Sequence, residues 1–350
     1  MKKIILAVLV ISFLAVVSTT GCRPDPSLAA PDTSMLISFA VPEGWPQPAY
    51  TFQTNRLTQK GFELGRKLFY DPRLSRDNTI SCNSCHEQFS AFSHLDHALS
   101  HGINGLFGVR NSPGIFNMAW KPAYFWDGGV NNLESQPQNP IENPVEMDLS
   151  LTEALQRLND DATYRQQFKD VFGGDKITSQ QLFKAFAQFM GAIVSANSKY
   201  DKYVHGAPGG TFTEQEQRGL NTFTDKCGSC HKEPLFTDYS YRNNGLTPSA
   251  ALQDSGRAHI TGDATDRNKF MVPSLRNVEL TRPYMHDGRL YTLDAVVEHY
   301  RTGIAPSATL DPLLAAGINM TDSEKDDIVA FLKTLTDRDL IKDKRFSQPR

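Results

Sequence analysis

Two stretches of the chain carry the same reactive pattern, Cys82–Asn83–Ser84–Cys85–His86 and Cys227–Gly228–Ser229–Cys230–His231. In a Cys-x-x-Cys-His motif each thiol can add across a vinyl group of haem, and the adjoining imidazole is placed to ligate the iron. A redox or zinc-binding Cys-x-x-Cys pair with an incidental His behind it is the alternative for one such motif. Two complete copies behind an export signal favour haem c at both.

That signal is written at the N-terminus. Met1–Lys2–Lys3 is a short basic start, Ile4 to Val17 is almost wholly apolar, and small residues then lead to Gly21–Cys22. The apolar run is short for a spanning helix and fits a signal peptide. Gly before Cys resembles a bacterial lipoprotein cleavage site, although Thr19 stands where such sites usually carry Leu. The expectation is removal of residues 1–21 and lipidation of Cys22, with simple cleavage and release as the alternative. This places the chain in the periplasm or outer cell envelope, anchored by acyl chains. Of five cysteines, four lie in the haem motifs and Cys22 is the fifth, which leaves none for a disulfide. Loss of Lys2 and Lys3 moves the formal charge from −3 to −5, a balance that argues against nucleic-acid binding.

The chain is large for one core and comfortable for two. Residues 22–50 are rich in Pro and small polar types and read as a tether. A first domain is expected over 51–206, with the Gly206–Ala207–Pro208–Gly209–Gly210 cluster as boundary, a second over 207–340, and a basic tail over 341–350. Helical signals dominate. Leu182, Phe183, Phe186, Phe189, Met190, Ile193 and Val194 recur at helical spacing. Thr213 with Glu216 and Thr321 with Glu324 are capping boxes that open two more helices. Leu293, Val296, Val297 and Tyr300 share one helical face. Long Gly/Pro/Asn-rich stretches between helices show no strand alternation. The fold class expected is mainly α, with two cytochrome-c-like domains.

The segments behind each motif carry a family resemblance. The first runs Arg110–Asn111–Ser112–Pro113, Phe125–Trp126–Asp127–Gly128, Leu133–Glu134–Ser135–Gln136 and Asn143–Pro144–Val145–Glu146–Met147. The second runs Val272–Pro273–Ser274–Leu275–Arg276–Asn277 and Leu280–Thr281–Arg282–Pro283–Tyr284–Met285–His286–Asp287–Gly288. In order and spacing these closely resemble the bacterial dihaem cytochrome c peroxidases and their MauG-like relatives, over roughly Leu57 to Leu335.

The resemblance implies an N-terminal peroxidatic haem with His86 as proximal ligand, and a C-terminal haem, held through His231, that relays electrons. It makes Glu146 the distal acid–base carboxylate, Gln136 an amide that helps hold peroxide, and Trp126 the residue between the haems, as electron stepping stone or as packing. A carboxylate suits the first role because one group must take a proton from one oxygen and return it to the other. Asn111, Thr281 and Pro283 match positions that hold a calcium ion in the family. His101, 15 residues after His86, is the candidate for a displaceable distal ligand, against a reading of His94, His97 and His101 as surface or supporting histidines. At the second haem, Tyr300 stands where the peroxidases carry a Met ligand and MauG-like enzymes carry Tyr. If Tyr300 is only core packing, Met285, Met271 or His299 remain as ligands. The expected partners are hydrogen peroxide and a small electron-donor cytochrome c or cupredoxin, and a homodimer is consistent with them. The expected activity is peroxide reduction. The alternatives are MauG-like oxidation of a protein or organic substrate through high-valent haem, and plain dihaem electron carriage, which Glu146, Gln136 and Trp126 argue against.

Both motifs being complete, acid–acetone should leave the pigment on the protein, and a pyridine haemochrome assay should return two haems c per chain; extractable haem would overturn the reading.

Overall fold

The computed structural model describes residues 36–349, and the expectations for residues 1–21 and for Cys22 lie outside them. Among the described residues ten α-helices follow one another: α1 Gln59–Phe69, α2 Gln138–Glu142, α3 Leu151–Asp160, α4 Ala162–Phe172, α5 Ser179–Gly191, α6 Lys199–Val204, α7 Glu214–Lys226, α8 Ala258–Thr261, α9 Leu293–Thr302 and α10 Asp322–Lys333. Two short strands, β1 Tyr241–Arg242 and β2 Phe270–Met271, pair antiparallel with Tyr241 opposite Met271. Among the described residues no helix is long and apolar enough to cross a membrane.

The plan rests on two helix pairs. Thr58 caps α1 by accepting from the Gly61 N–H, and Thr178 with Gln181 forms a reciprocal capping box on α5. A helix of this length is marginal in water by itself. Each fully buried large apolar side chain contributes about 1.5–3 kcal/mol, so Leu68 and Phe69 on α1 and Phe186 and Phe189 on α5, all sealed from solvent, outweigh that marginality. The pair α7 and α10 repeats the arrangement. Both of its helices open with the capping boxes read from the sequence, Thr213 with Glu216 and Thr321 with Glu324.

Each pair crosses at a glycine. A Cβ on Gly65 would lie 2.0 Å from the Ala185 carbonyl oxygen, and one on Gly219 would lie 2.0 Å from that of Asp327. A side chain at either position would force the helices apart.

Two cores follow. One gathers Phe62, Leu68, Phe69, Phe92, Phe186 and Phe189; the other gathers Tyr200, Phe223, Phe236, Val297, Ile328 and Phe331. The described residues form one compact unit around both, and Gly206–Gly210 falls between α6 and α7. The segment read as a tail from residue 341 returns to the first core. Phe346 is 5% exposed there, and the Tyr70 hydroxyl donates to its carbonyl at 2.8 Å. Apolar Ile341 and Phe346 among the basic residues are what bring it back.

The loops repeat as well. Tyr124 bridges to Val130 and its hydroxyl donates to Met118 O; Tyr284 bridges to Leu290 and donates to Val278 O. Gly128 and Gly288 close the two turns at φ +68° and +67°, left-handed values that glycine adopts without strain. Superimposing Pro-Ala-Tyr-Phe-Trp-Asp-Gly on Pro-Tyr-Met-His-Asp-Gly sets Phe125 against Met285 and Trp126 against His286. Buried Arg276, from the second repeat, is matched to both oxygens of Asp201 at 2.8 and 2.9 Å, as an interior charge must be.

Gly65→Ala and Gly219→Ala should each destabilise the protein by about 1–3 kcal/mol, the usual cost of overpacking, read as a lower urea midpoint with unchanged slope. An unchanged midpoint would show that the helices can separate freely.

Candidate functional site

Each Cys-x-x-Cys-His motif folds as a tight turn, with Cys85 N–H donating to Cys82 O and Cys230 N–H to Cys227 O, both at 3.2 Å. Each motif histidine places its Nδ1 against a backbone carbonyl a few residues on: His86 at 2.9 Å from Phe92 O, and His231 at 3.1 Å from Phe236 O. Nδ1 must carry the proton in these bonds, so Nε2 is left with a free lone pair, the arrangement of a metal-ligating imidazole. Burial, aided at His86 by the Lys121 charge, lowers the basicity of both rings, that of His86 to about 4. Both are therefore neutral at neutral pH.

Around the second motif lies a cavity of about 290 Å³ whose wall is mostly apolar. Helix α9 sends Leu293, Val296, Val297 and Tyr300 into that wall, and Cys227, Cys230, His231, Met271 and Met285 share it. Burial pushes the Tyr300 hydroxyl up, partly offset by the Asn244 amide. That same amide lies 3.4 Å from the Met285 sulfur, so two of the four sequence candidates for the second ligand, Tyr300 and Met285, converge on the Asn244 side chain. His299 instead spends Nε2 on Asn244 O at 3.0 Å. No Asp or Glu lines this cavity among the described residues.

The first motif has different neighbours. Burial raises the Cys82 and Cys85 thiols to about 12, and the nearby Glu146 carboxylate adds to the rise at both. Asn143 Nδ2 donates to Glu146 Oε1 at 2.9 Å, while burial raises the Glu146 carboxyl above the usual carboxylate range. The Ile103 N–H donates to Glu146 O at 2.8 Å, and a Cβ on Gly102 would lie 2.1 Å from that oxygen, so residues 101–103 run directly beside Glu146. The His101 carbonyl accepts from the Cys85 thiol at 3.4 Å. Gln136 sits in the turn before α2 and, among the described residues, is not hydrogen-bonded to Glu146.

Trp126 stands between the halves. Its indole N–H donates to Asn111 O at 2.9 Å, its own carbonyl accepts from Met271 N–H at 2.7 Å, and its ring lines the second cavity. Asn111, Thr281 and Pro283 line the same cavity. His286, the counterpart of Trp126, stacks on Phe270 with centroids 3.7 Å apart.

Three residues hold places that their sequence positions did not assign to them. Lys121 lines the cavity and burial pulls its ammonium down to about 8. Arg110 joins Asp127 of the first half to Asp254 of the second, both at 2.6 Å. Asn244 is the third. A single Lys inside an aromatic run was a usable signal; Asn244 and Asp254, in polar loops, offered none.

The family model for di-haem cytochrome c peroxidase matches residues 59–208. Cytochrome c551 peroxidase of Nitrosomonas europaea is 37% identical over 279 residues, 78% of this chain and 79% of that protein. The methylamine utilization protein MauG of Methylorubrum extorquens is 35% identical over 303 residues, 85% of this chain and 83% of that protein. A solved MauG-like protein associated with microbial copper homeostasis superimposes with a TM-score of 0.81 at 34% identity, covering 89% of this chain and 99% of that one. The mainly helical fold and the paired motifs thus define a peroxidase-type oxidoreductase. The chain belongs to the di-haem cytochrome c peroxidase family.

Tyr300→Phe removes one oxygen and keeps the ring. In the haem-loaded protein the spectrum and potential should change at one haem only, and the wild type should lack a Met–iron band. A variant indistinguishable from wild type would make Tyr300 core packing and turn attention to Met285.

Proposed function

We propose that this chain reduces hydrogen peroxide to water at the first motif, drawing two electrons through the second from a small cytochrome c or cupredoxin. The observation that carries this reading is the asymmetry of the halves. The first motif has beside it a half-buried carboxylate whose proton affinity burial raises, while the cavity of the second has none and offers Tyr300 and Met285 instead.

Haem c at both motifs is supported by the donor set, two thiols and an imidazole with Nδ1 tied and Nε2 free, and at the second motif also by an apolar wall. Cys82, Cys85 and His86 would hold one group, and Cys227, Cys230 and His231 the other, in two cytochrome-c-like domains. Bound there, the haems would supply peroxide-reducing chemistry at the first motif and electron transfer at the second.

The remaining work falls to side chains. Glu146, as carboxylate, takes the proton from the near oxygen of peroxide and returns it to the far oxygen as the O–O bond breaks. Two electrons and two protons per peroxide give two waters. Asn143 holds Oε1 and so leaves Oε2 for this transfer. Gln136 would hold the substrate from the loop before α2. Trp126, bonded to both halves, lies where an aromatic stepping stone is useful. Buried Lys121 has no carboxylate partner among the described residues, and suits a haem carboxylate. Calcium on Asn111, Thr281 and Pro283 rests on the family resemblance of those positions. Attachment through lipidated Cys22 outside the cytoplasmic membrane completes the proposal.

A second reading, MauG-like oxidation of a protein or organic substrate, is favoured by one observation, Tyr300 in the cavity wall. Steady-state peroxide turnover with and without a reduced small cytochrome separates the two.

Glu146→Gln should keep both haem spectra and lose about 10²-fold or more in turnover, the usual order for an acid–base group. Because burial raises the carboxyl of Glu146, wild-type activity should fall on acidification with a midpoint above the usual carboxylate range, as the base becomes protonated. The variant should lack that limb. Unchanged turnover would move the proton transfer to Gln136 or to the His94–His101 loop.

A further inference from the structure

The loop between the first motif and Asn111 carries three histidines whose side chains converge. Ring centroids are 4.0 Å apart for His94 and His97, and 4.8 Å for His101 with each of the others. One ligating nitrogen from each lies within 4.8 Å of the others. We propose that His94, His97 and His101 bind a late first-row transition ion at the rim of the first motif, a site separate from both haem irons.

The set is held in advance from both halves of the molecule. Asn111 Nδ2 donates to His97 O at 3.0 Å and to Ala98 O at 3.2 Å. Arg282 grips Asp96 at 3.0 Å. Gly288 makes room for the loop, since a Cβ there would come within 2.2 Å of Ala98 O. His97 Nδ1 lies 2.9 Å from Leu95 O, which fixes the proton on Nδ1 and leaves Nε2 to ligate.

His94 supplies the independent sign of a ligand. It is 4% exposed, and its Nδ1 has no hydrogen-bond partner. A buried polar atom left unsatisfied is a cost to folding, and a metal bond to that nitrogen removes it. Packing alone does not.

The donors decide the ion. Three imidazoles without a carboxylate do not suit Ca2+ or Mg2+, which take oxygen. They suit Zn2+ or copper, with a further position open to water. At metal–nitrogen distances of about 2.0–2.1 Å two ligands on one ion lie within about 4 Å of each other, so a small rotation of the rings closes the set.

The test uses untagged, haem-loaded full chain, stripped with a chelator and dialysed against Zn2+, with metal read by mass spectrometry. Wild type should take up one Zn2+ per chain. His97→Gln, whose ring is exposed and whose loss should spare the fold, should weaken binding at least about tenfold, the lower end of what even an outer-shell partner costs. His94→Ala should do the same, with the Soret band of each variant as the check on folding and haem content. No Zn2+ taken up by wild type overturns the site. So does unchanged Zn2+ affinity in His97→Gln.

Discussion

Everything in this molecule is arranged around a hydrogen bond made twice, from the Nδ1 of a motif histidine to a backbone carbonyl. Phe92 O at 2.9 Å and Phe236 O at 3.1 Å fix the tautomer and the angle of His86 and His231. Without that bond a neutral imidazole offers either nitrogen and no defined direction. Phe92 and Phe236 are themselves sealed in the two cores, so ring orientation is inherited from core packing. The helix pairs matter to the chemistry for this reason. Gly65 and Gly219 let each pair close, the closed pair buries the Phe, and the Phe carbonyl aims the imidazole.

The two halves share this scaffold and differ in what they add. At equivalent turns the first half carries Phe125 and Trp126, and the second carries Met285 and His286. The first half sets a carboxylate with raised proton affinity next to its thiols, whereas the second sets a phenol and a thioether under one amide, Asn244. A protein that only carried electrons would gain nothing from half-burying Glu146 with no cation beside it, since desolvating a carboxyl is a cost to folding that the one Asn143 bond offsets only in part.

The amino-acid sequence made the scaffold legible because helix starts and buried faces are local signals. The capping boxes at Thr213 and Thr321 form as read, and α5 buries Leu182, Phe186, Phe189 and Met190 as its periodicity implies. The haem motifs are local too, as is the α9 face that ends at Tyr300. What could not be read are contacts that need the fold already made. Arg110 meets Asp254 across 144 positions, and Asn244 reaches Met285 across 41. The return of Phe346 to α1 and α5 was hidden by its basic neighbours, since a charged run with two apolar residues has the composition of a solvated tail. Histidines 94, 97 and 101 were visible as a crowd; that their rings converge depends on the 94–101 loop doubling back, which no spacing rule encodes.

The contacts between halves concentrate on a short stretch of chain, and that concentration bears on electron flow. Trp126 O is bonded to Met271 of β2, Asp127 O and Gly128 O accept from Arg257, and Asp127 with Asp254 clamps Arg110. Buried, doubly paired charges tolerate little displacement, because moving one partner leaves another unpaired in a poorly solvated site. The turn that holds Trp126 is thereby fixed to the second half as firmly as to the first. A relay between two centres needs a constant separation more than it needs any one residue type. On the proposed function, the Arg110 network would supply that constancy by tying the Trp126 turn to the second half.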